Sequence, residues 1–312
     1  MRFKIVGIGE VLWDLLPAGP QLGGAPANFA YHAHALGAHA CVVTRVGADE
    51  FGREILRRLK EQGIADGTVQ EDETSPTGTV TVDLSEKGIP NYVIHKDVAW
   101  DRLSVTPSSL NALRVADAIC FGSLAQRGEI SRGAIQRLVA AAPAKALRVF
   151  DINLRQNYFS REIIEQSLGL ANVLKLNDDE LPILASMFSL TGSPRQQMHV
   201  LALRFSLRLV ALTRGPAGSL LLQDGEWSDC PSVPIKIVDT VGAGDSFTAA
   251  LVLGLLQNKA LDEINMLADE VARYVCSCAG ATPPLPKSII DRFSNQPASR
   301  KNLIELSGTF RI

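Results

Sequence analysis

The residues best suited to chemistry lie in Asp239-Thr240-Val241-Gly242-Ala243-Gly244-Asp245-Ser246-Phe247-Thr248. Two glycines precede an apolar helical run from Phe247 to Leu256, so Gly242-Ala243-Gly244 falls at a helix N-terminus. There, unpaired backbone N–H groups and the helix dipole make an anion site. Glycine lets a phosphate approach the backbone with no Cβ in the way. Asp245, in the first helical turn, points a carboxylate at the same place. A carboxylate beside an anion pocket is an odd pairing unless it takes a proton from an attacking hydroxyl. The string also fits plain structure, a glycine-rich helix entry with an acid in its first turn.

Other segments offer polar groups at the ends of apolar runs. Asn177-Asp178-Asp179-Glu180 sits where a strand meets a helix, and acids there suit the helix dipole. Thr213-Arg214-Gly215-Pro216-Ala217-Gly218 reads as a turn between two strands. Asp151-Ile152-Asn153-Leu154-Arg155 ends another strand, where ligands of parallel sheets bind. Arg155 could hold a phosphate or a carboxylate by its planar fork; a surface pairing with Asp151 is the plain alternative. Asp14 is a lone acid in Val11–Leu16, and a carboxylate suits a vicinal diol. His32 and His34 lie on different faces of a helix rather than on one metal. No Gly-x-x-x-x-Gly-Lys-Ser/Thr phosphate loop occurs, and Gly7-Ile8-Gly9-Glu10 lacks the third glycine of a dinucleotide fingerprint.

The elements that must position these groups alternate along the chain. Lys4–Gly9, Ala40–Val46, Ala116–Phe121, Leu147–Ile152, Asn172–Leu176 and Leu207–Thr213 read as buried strands. Ala27–Leu36, Asp49–Gln62, Glu129–Ala141, Asp178–Phe188 and Pro194–Phe205 read as helices. The pattern implies βαβ units, hence an α/β fold with a mostly parallel sheet covered by helices. Val11–Leu16 follows the first strand too closely for a crossover helix. Thr77–Ile94 alternates like an exposed hairpin turning at Glu86-Lys87-Gly88. A small sheet inserted on one side would serve as a lid.

The full string around Asp245 resembles the C-terminal signature of the PfkB, or ribokinase-like, carbohydrate kinases. Their N-terminal signature has a counterpart in Gly23-Gly24-Ala25-Pro26-Ala27-Asn28-Phe29-Ala30, continuing through Leu36-Gly37-Ala38 to Val46-Gly47-Ala48-Asp49-Glu50-Phe51-Gly52. The resemblance implies a ribokinase-like fold and an ATP-dependent sugar kinase, with a main domain over residues 1–10, 27–70 and 101–294. A β-sheet lid over 11–26 and 71–100 and a C-terminal tail over 295–312 complete the expected organisation.

By the same resemblance Asp245 is the general base, and the amides of Gly242, Ala243 and Gly244 stabilise the transferring phosphoryl group. Asn177 and Glu180 face the phosphates, with Glu180 ordering Mg²⁺ through water. Thr213, Gly215 and Gly218 contact ATP. The loop at Gly280-Ala281 resembles one that serves adenine and a monovalent cation, K⁺. On the sugar side stand Asp14, Gly23, Gly24, Asn28 and Arg155, Asp14 and the Gly23-Gly24 turn clasping opposite sides of one polyol. Asp151-x-Asn153-x-Arg155 resembles both fructokinases and 2-keto-3-deoxygluconate kinases, while Gly9-Glu10-Val11-Leu12-Trp13-Asp14 and Ala99-Trp100-Asp101 look more like fructokinases than ribokinases. Fructose or a similar hexose leads; 2-keto-3-deoxygluconate, ribose and a nucleoside follow, and a catalytically silent sugar-binding homologue is the other class.

Composition agrees with a soluble enzyme. The 312 residues are 46% hydrophobic and 21% charged, enough chain to bury about three quarters of its unfolded surface without a disulfide or metal staple. Thirty-one basic against 33 acidic side chains give a net charge of −2, without the basic excess of a general nucleic-acid binder. The longest apolar run, Ala249–Leu256, falls short of the ~18 residues a membrane span needs. Five scattered cysteines form no zinc set and read as buried thiols, hence a cytoplasmic protein. A homodimer joined through lids is the expected assembly.

Overall fold

In the computed structural model, residues 2–17, 19–84 and 90–294 are described. The expected turn at Glu86-Lys87-Gly88 and the tail 295–312 lie outside them. The main sheet has nine strands, and the first to form in sequence, β1 (Lys4–Ile8), lies inside it. The small sheet begins at once with β2 (Leu12–Leu16) and β3 (Gly19–Gly23). The chain then returns through helix α1 (Ala25–Ala35) to β4 (His39–Gly47), and through α2 (Glu50–Glu61) to β5 (Val69–Asp72). Strands β6 (Gly78–Leu84) and β7 (Pro90–Ile94) complete the small sheet in the order β3-β2-β6-β7.

Helix α3 (Pro107–Arg114) leads into a run of crossovers: β8 (Ala118–Phe121), α4 (Glu129–Ala140), β9 (Leu147–Asp151), α5 (Arg161–Leu170) and β10 (Val173–Asn177). Two helices, α6 (Glu180–Phe188) and α7 (Pro194–Arg204), precede β11 (Leu209–Thr213), which continues into the hairpin strands β12 (Ser219–Gln223) and β13 (Glu226–Cys230). The chain then adds α8 (Ala243–Leu256), α9 (Leu261–Cys276) and α10 (Lys287–Phe293). The main-sheet order is β13-β12-β11-β10-β9-β8-β1-β4-β5, parallel except for β12 and β13.

Period-two alternation sorts the strand side chains onto two faces. Ile5, Ala118 and Cys120 face one core with α1, α8 and α9; Val6, Ile119 and Phe121 face the other with α4 to α7. Ser246 to Leu255 is buried throughout, so Ala249–Leu256 is an interior helix of the protein. No helix among the described residues is long and apolar enough to cross a membrane. The five cysteines are free, but only Cys120 is fully buried; the other four are half-buried, flanking the core rather than filling it.

Candidate active site

The site is assembled at the C-terminal ends of β1, β8, β9, β10 and β11, the edge where parallel sheets leave a crevice. Helix α8 begins there. Gly242 is its N-cap at φ 78°, and no side chain caps the helix. A Cβ on Gly242 would stand 2.4 Å from the carbonyl oxygen of Ala281, so only glycine fits both the conformation and the space. Asp239 fixes the turn from both sides, its Oδ1 accepting from Val241 N–H and its Oδ2 from Gly280 N–H, each at 3.0 Å. His32, buried on α1, reaches the same Ala281 carbonyl through Nε2 at 2.9 Å. Burial lowers its pKa to about 4, so the ring is neutral and Nε2–H is the donor.

The amides of Gly242 and Gly244 find no acceptor among the described residues and stay available to an anion. Ala243 departs from the expected trio. Its N–H already leans on the Thr240 carbonyl at 3.3 Å, because the entry to α8 closes a turn there.

Asp245 follows this turn, and Asn28 of α1 donates to its Oδ2 at 2.8 Å. Surrounding protein raises the carboxyl to about pKa 6: desolvation and the nearby Asp151 push it up, while Asn28, Lys175 and Arg155 hold it back. That suits a base working near neutral pH. Asn28, expected against the sugar, stands beside Asp245 and spends its side-chain N–H on that carboxylate. Beside them Glu10 is buried with Oε2 unpartnered among the described residues. Desolvation lifts it to about pKa 7 against the pull of backbone N–H groups and Arg155.

On the acceptor side, Asp14 stands half-buried on β2, raised by desolvation and lowered by Arg155. A Cβ on Gly23 would meet its Oδ2 at 2.5 Å. Asp14 and Gly23 therefore stand side by side rather than across a gap, because β2 and β3 are adjacent antiparallel strands. Gly24 is tied to the chain: a Cβ there would strike the Glu10 carbonyl at 2.5 Å. Arg155 is exposed, bonds only the carbonyl of its neighbour Leu154 among the described residues, and leaves Asp151 to a different partner. That partner is Lys175, at 3.1 Å in a buried ion pair.

Along the other half of the crevice, Asn177 and Thr213 are direct neighbours in the β10–β11 register. Asn177 Oδ1 accepts from the N–H groups of Asp179 and Glu180, starting α6. Glu180 is buried, and its two oxygens accept from Leu154 N–H at 2.9 Å and Asn177 N–H at 2.8 Å. Each oxygen keeps a lone pair. No cage of three His, Cys, Asp or Glu side chains occurs among the described residues. The donor set thus fits a hard cation held mostly by water and phosphate, with one carboxylate behind it. Gly215 turns in open space, whereas Gly218 must be glycine because a Cβ would stand 2.0 Å from the Cys230 carbonyl.

Sequence reasoning passed over Glu10, Asp151 as a buried acid, Lys175 and Asp239. A lysine inside the apolar run Val173–Leu176 was the available signal, since a charge in a buried strand needs a partner.

The comparisons agree with this geometry. The model of the pfkB family carbohydrate kinases matches residues 20–288. A fructokinase of Klebsiella pneumoniae is 30% identical over 283 residues, covering 87% of this chain and 91% of its own. The crystal structure of an uncharacterized sugar kinase from Pyrococcus horikoshii in complex with ATP superposes with a TM-score of 0.75 at 29% identity, over 89% of this chain and 94% of that one. A fructokinase from Vibrio cholerae in fructose-, ADP- and calcium-bound form shares the fold, with a TM-score of 0.76 at 24% identity over 93% and 98% of the two chains. With both glycine-bearing signatures folded onto one crevice and the family model spanning most of the sequence, the chain belongs to the pfkB family of carbohydrate kinases.

Proposed function

We propose that this sugar kinase transfers the γ-phosphoryl group of ATP to a hydroxyl of an uncharged sugar, with fructose the leading acceptor. The observation that carries the reading is Asp245, held by Asn28 beside a glycine turn whose Gly242 and Gly244 amides have no acceptor among the described residues. Asp245 takes the proton as the acceptor oxygen bonds to the γ-phosphorus, and the bond to the bridging oxygen of ADP breaks. The free amides receive the charge gathering on the phosphoryl oxygens. Asn177, Thr213, Gly215 and Gly218 line the nucleotide half. Glu180 would order Mg²⁺ through water, which supplies charge neutralisation at the phosphates, and the Gly280-Ala281 loop is the place for K⁺.

Asp14 supports a sugar acceptor, with Gly23 and Gly24 keeping the backbone beside it clear. An uncharged acceptor is consistent with Arg127, which packs against Trp100 and Tyr158 and spends its Nε and Nη2 on Asp101 at 2.8 Å each. Arg155 favours the second reading, 2-keto-3-deoxygluconate, since Glu10, Asp14 and Asp245 all feel its charge. The reading includes residues 11–26 and 71–100 as a lid over a main domain of 1–10, 27–70 and 101–294, working in the cytoplasm. An ADP-release assay with fructose, 2-keto-3-deoxygluconate, ribose and nucleosides tests it. Highest kcat/KM on fructose is the expected result. Preference for the keto acid would transfer the assignment to the second reading, and no turnover with any sugar would refute both.

A further inference from the structure

Among the described residues Lys175 is the one lysine that is buried, and it lies in an apolar strand at the site. It stands in β10, 6% exposed, with Nζ 3.1 Å from Asp151 Oδ1. The other Asp151 oxygen accepts from Thr248 Oγ1 at 2.8 Å, and that same hydroxyl lies 2.9 Å from the Gly244 carbonyl. A Cβ on Gly244 would stand 2.9 Å from Nζ. The ammonium is therefore lodged directly against the phosphoryl turn. It carries three N–H donors, and Asp151 is its only bonded acceptor among the described residues.

A buried ion pair is a weak device for stability alone, because apolar side chains of similar volume often serve as well. The residues of β10 on either side of it, Val173, Leu174 and Leu176, are apolar and buried, so a leucine at 175 would continue their pattern. What the pair adds is charge at a fixed place. We propose that Lys175 is a positioning residue of the transfer reaction: held by Asp151 against Gly244, its ammonium sets the electrostatic field in which Asp245 works. This rests on Asp245 being the base. The charged or titratable groups around Asp245 come from each neighbouring element: Glu10 after β1, Cys120 on β8, Asp151 and Arg155 at the end of β9, and Lys175 on β10. Lys175 and Asp151 act on it with opposite sign, which makes their roles separable.

The test is kcat/KM against pH for Lys175→Met, Asp151→Asn and the double variant, each confirmed native by near-ultraviolet circular dichroism. Lys175→Met should move the acidic limb to higher pH by roughly one unit or more, the usual effect of losing a nearby opposite charge. Asp151→Asn should move it to lower pH by a similar amount, and the double variant should return towards wild type. Rates that fall at every pH with the limb unmoved would make the pair merely structural and overturn the proposal. If Lys175→Met does not fold, an unmoved limb in Asp151→Asn overturns it equally, and a downward shift supports it. Asp245→Asn separates the two levels. Near-normal turnover there would remove the base reading itself, whereas a large loss there with unmoved limbs elsewhere would defeat only the role of Lys175.

Discussion

In the proposed reaction Asp245 joins the two halves as the base, and its environment makes that role testable by substitution and by pH. Asn keeps the size but cannot take the proton, so Asp245→Asn should lower kcat by about 10²–10⁴. Binding of sugar and ATP analogue, followed by calorimetry, should change little, because the base acts in the transition state. In the wild-type protein the base is ionised above about pH 6, so kcat/KM should fall roughly tenfold per unit below it. A profile flat down to pH 4.5 would contradict this assignment. Asp14→Ala should raise the sugar KM strongly while leaving ATP binding intact, since a site built to bond hydroxyls suffers when one partner is removed. Loss of acceptor binding in Arg155→Ala alone would favour a carboxylate-bearing acceptor. At this scale the sequence disclosed groups that sit in punctuated turns, such as Asp245 and the glycines before it. It concealed Glu10 and Lys175, because a polar residue within an apolar run reveals its partners only once distant strands are side by side.

Elements carry the same lesson in their ends. The expected helix beginning at Asp49 starts one residue later because Asp49 is its N-cap, accepting from Gly52 N–H at 2.7 Å. The same carboxylate also accepts from the Thr77 hydroxyl at 2.6 Å and the Thr77 amide at 2.8 Å, tying α2 to the start of β6. Desolvation raises the Asp49 pKa, but these bonds and Arg53 outweigh it and the net shift is downward. A depressed folded-state pKa adds stability above the unfolded value and loses it as pH falls. Asp49→Asn keeps the helix cap but loses the carboxylate's charge and the acceptor for the Thr77 amide, so it should lower stability at pH 7, and the gap to wild type should narrow as pH falls below about 4. Urea unfolding at the two pH values measures both. At the entry to α8, Gly242→Ala should cut kcat more than it raises either KM, because the new methyl group meets the Ala281 carbonyl and displaces the turn. The strands of the parallel core were legible as short Val-, Ile- and Leu-rich runs. Helices α3, α5 and α9 were not singled out, since α3 is short, the apolar stripe of α5 is interrupted by buried Ser167 and that of α9 by buried Asn265 and Asp269. The hairpin β12–β13 was passed over as well, having no alternation strong enough to separate it from its turns.

For the whole molecule, the two faces of the small sheet are unequally covered: Trp13 is buried in the core with Leu15 and Leu22 packed against it, while on the other face of β2 Leu12 is buried but Leu16 stays half-buried. The proposed homodimer covers that remaining side with a second copy. Light scattering at micromolar concentration should give the mass of two chains, and a fully active single chain would exclude the arrangement. The hydrogen bond from Asn28 to Asp245 has a different consequence, since it closes across 217 positions of the chain. At roughly 5–20 residues per second of synthesis, about ten to forty seconds separate the two ends of that bond on the ribosome. Throughout that interval Phe29, Ala30 and Ala33 of α1 lack the surface of α8 that later covers them. The nascent chain must then carry a finished half-site with an open apolar groove, and it is in this window that a holding chaperone has something to grip.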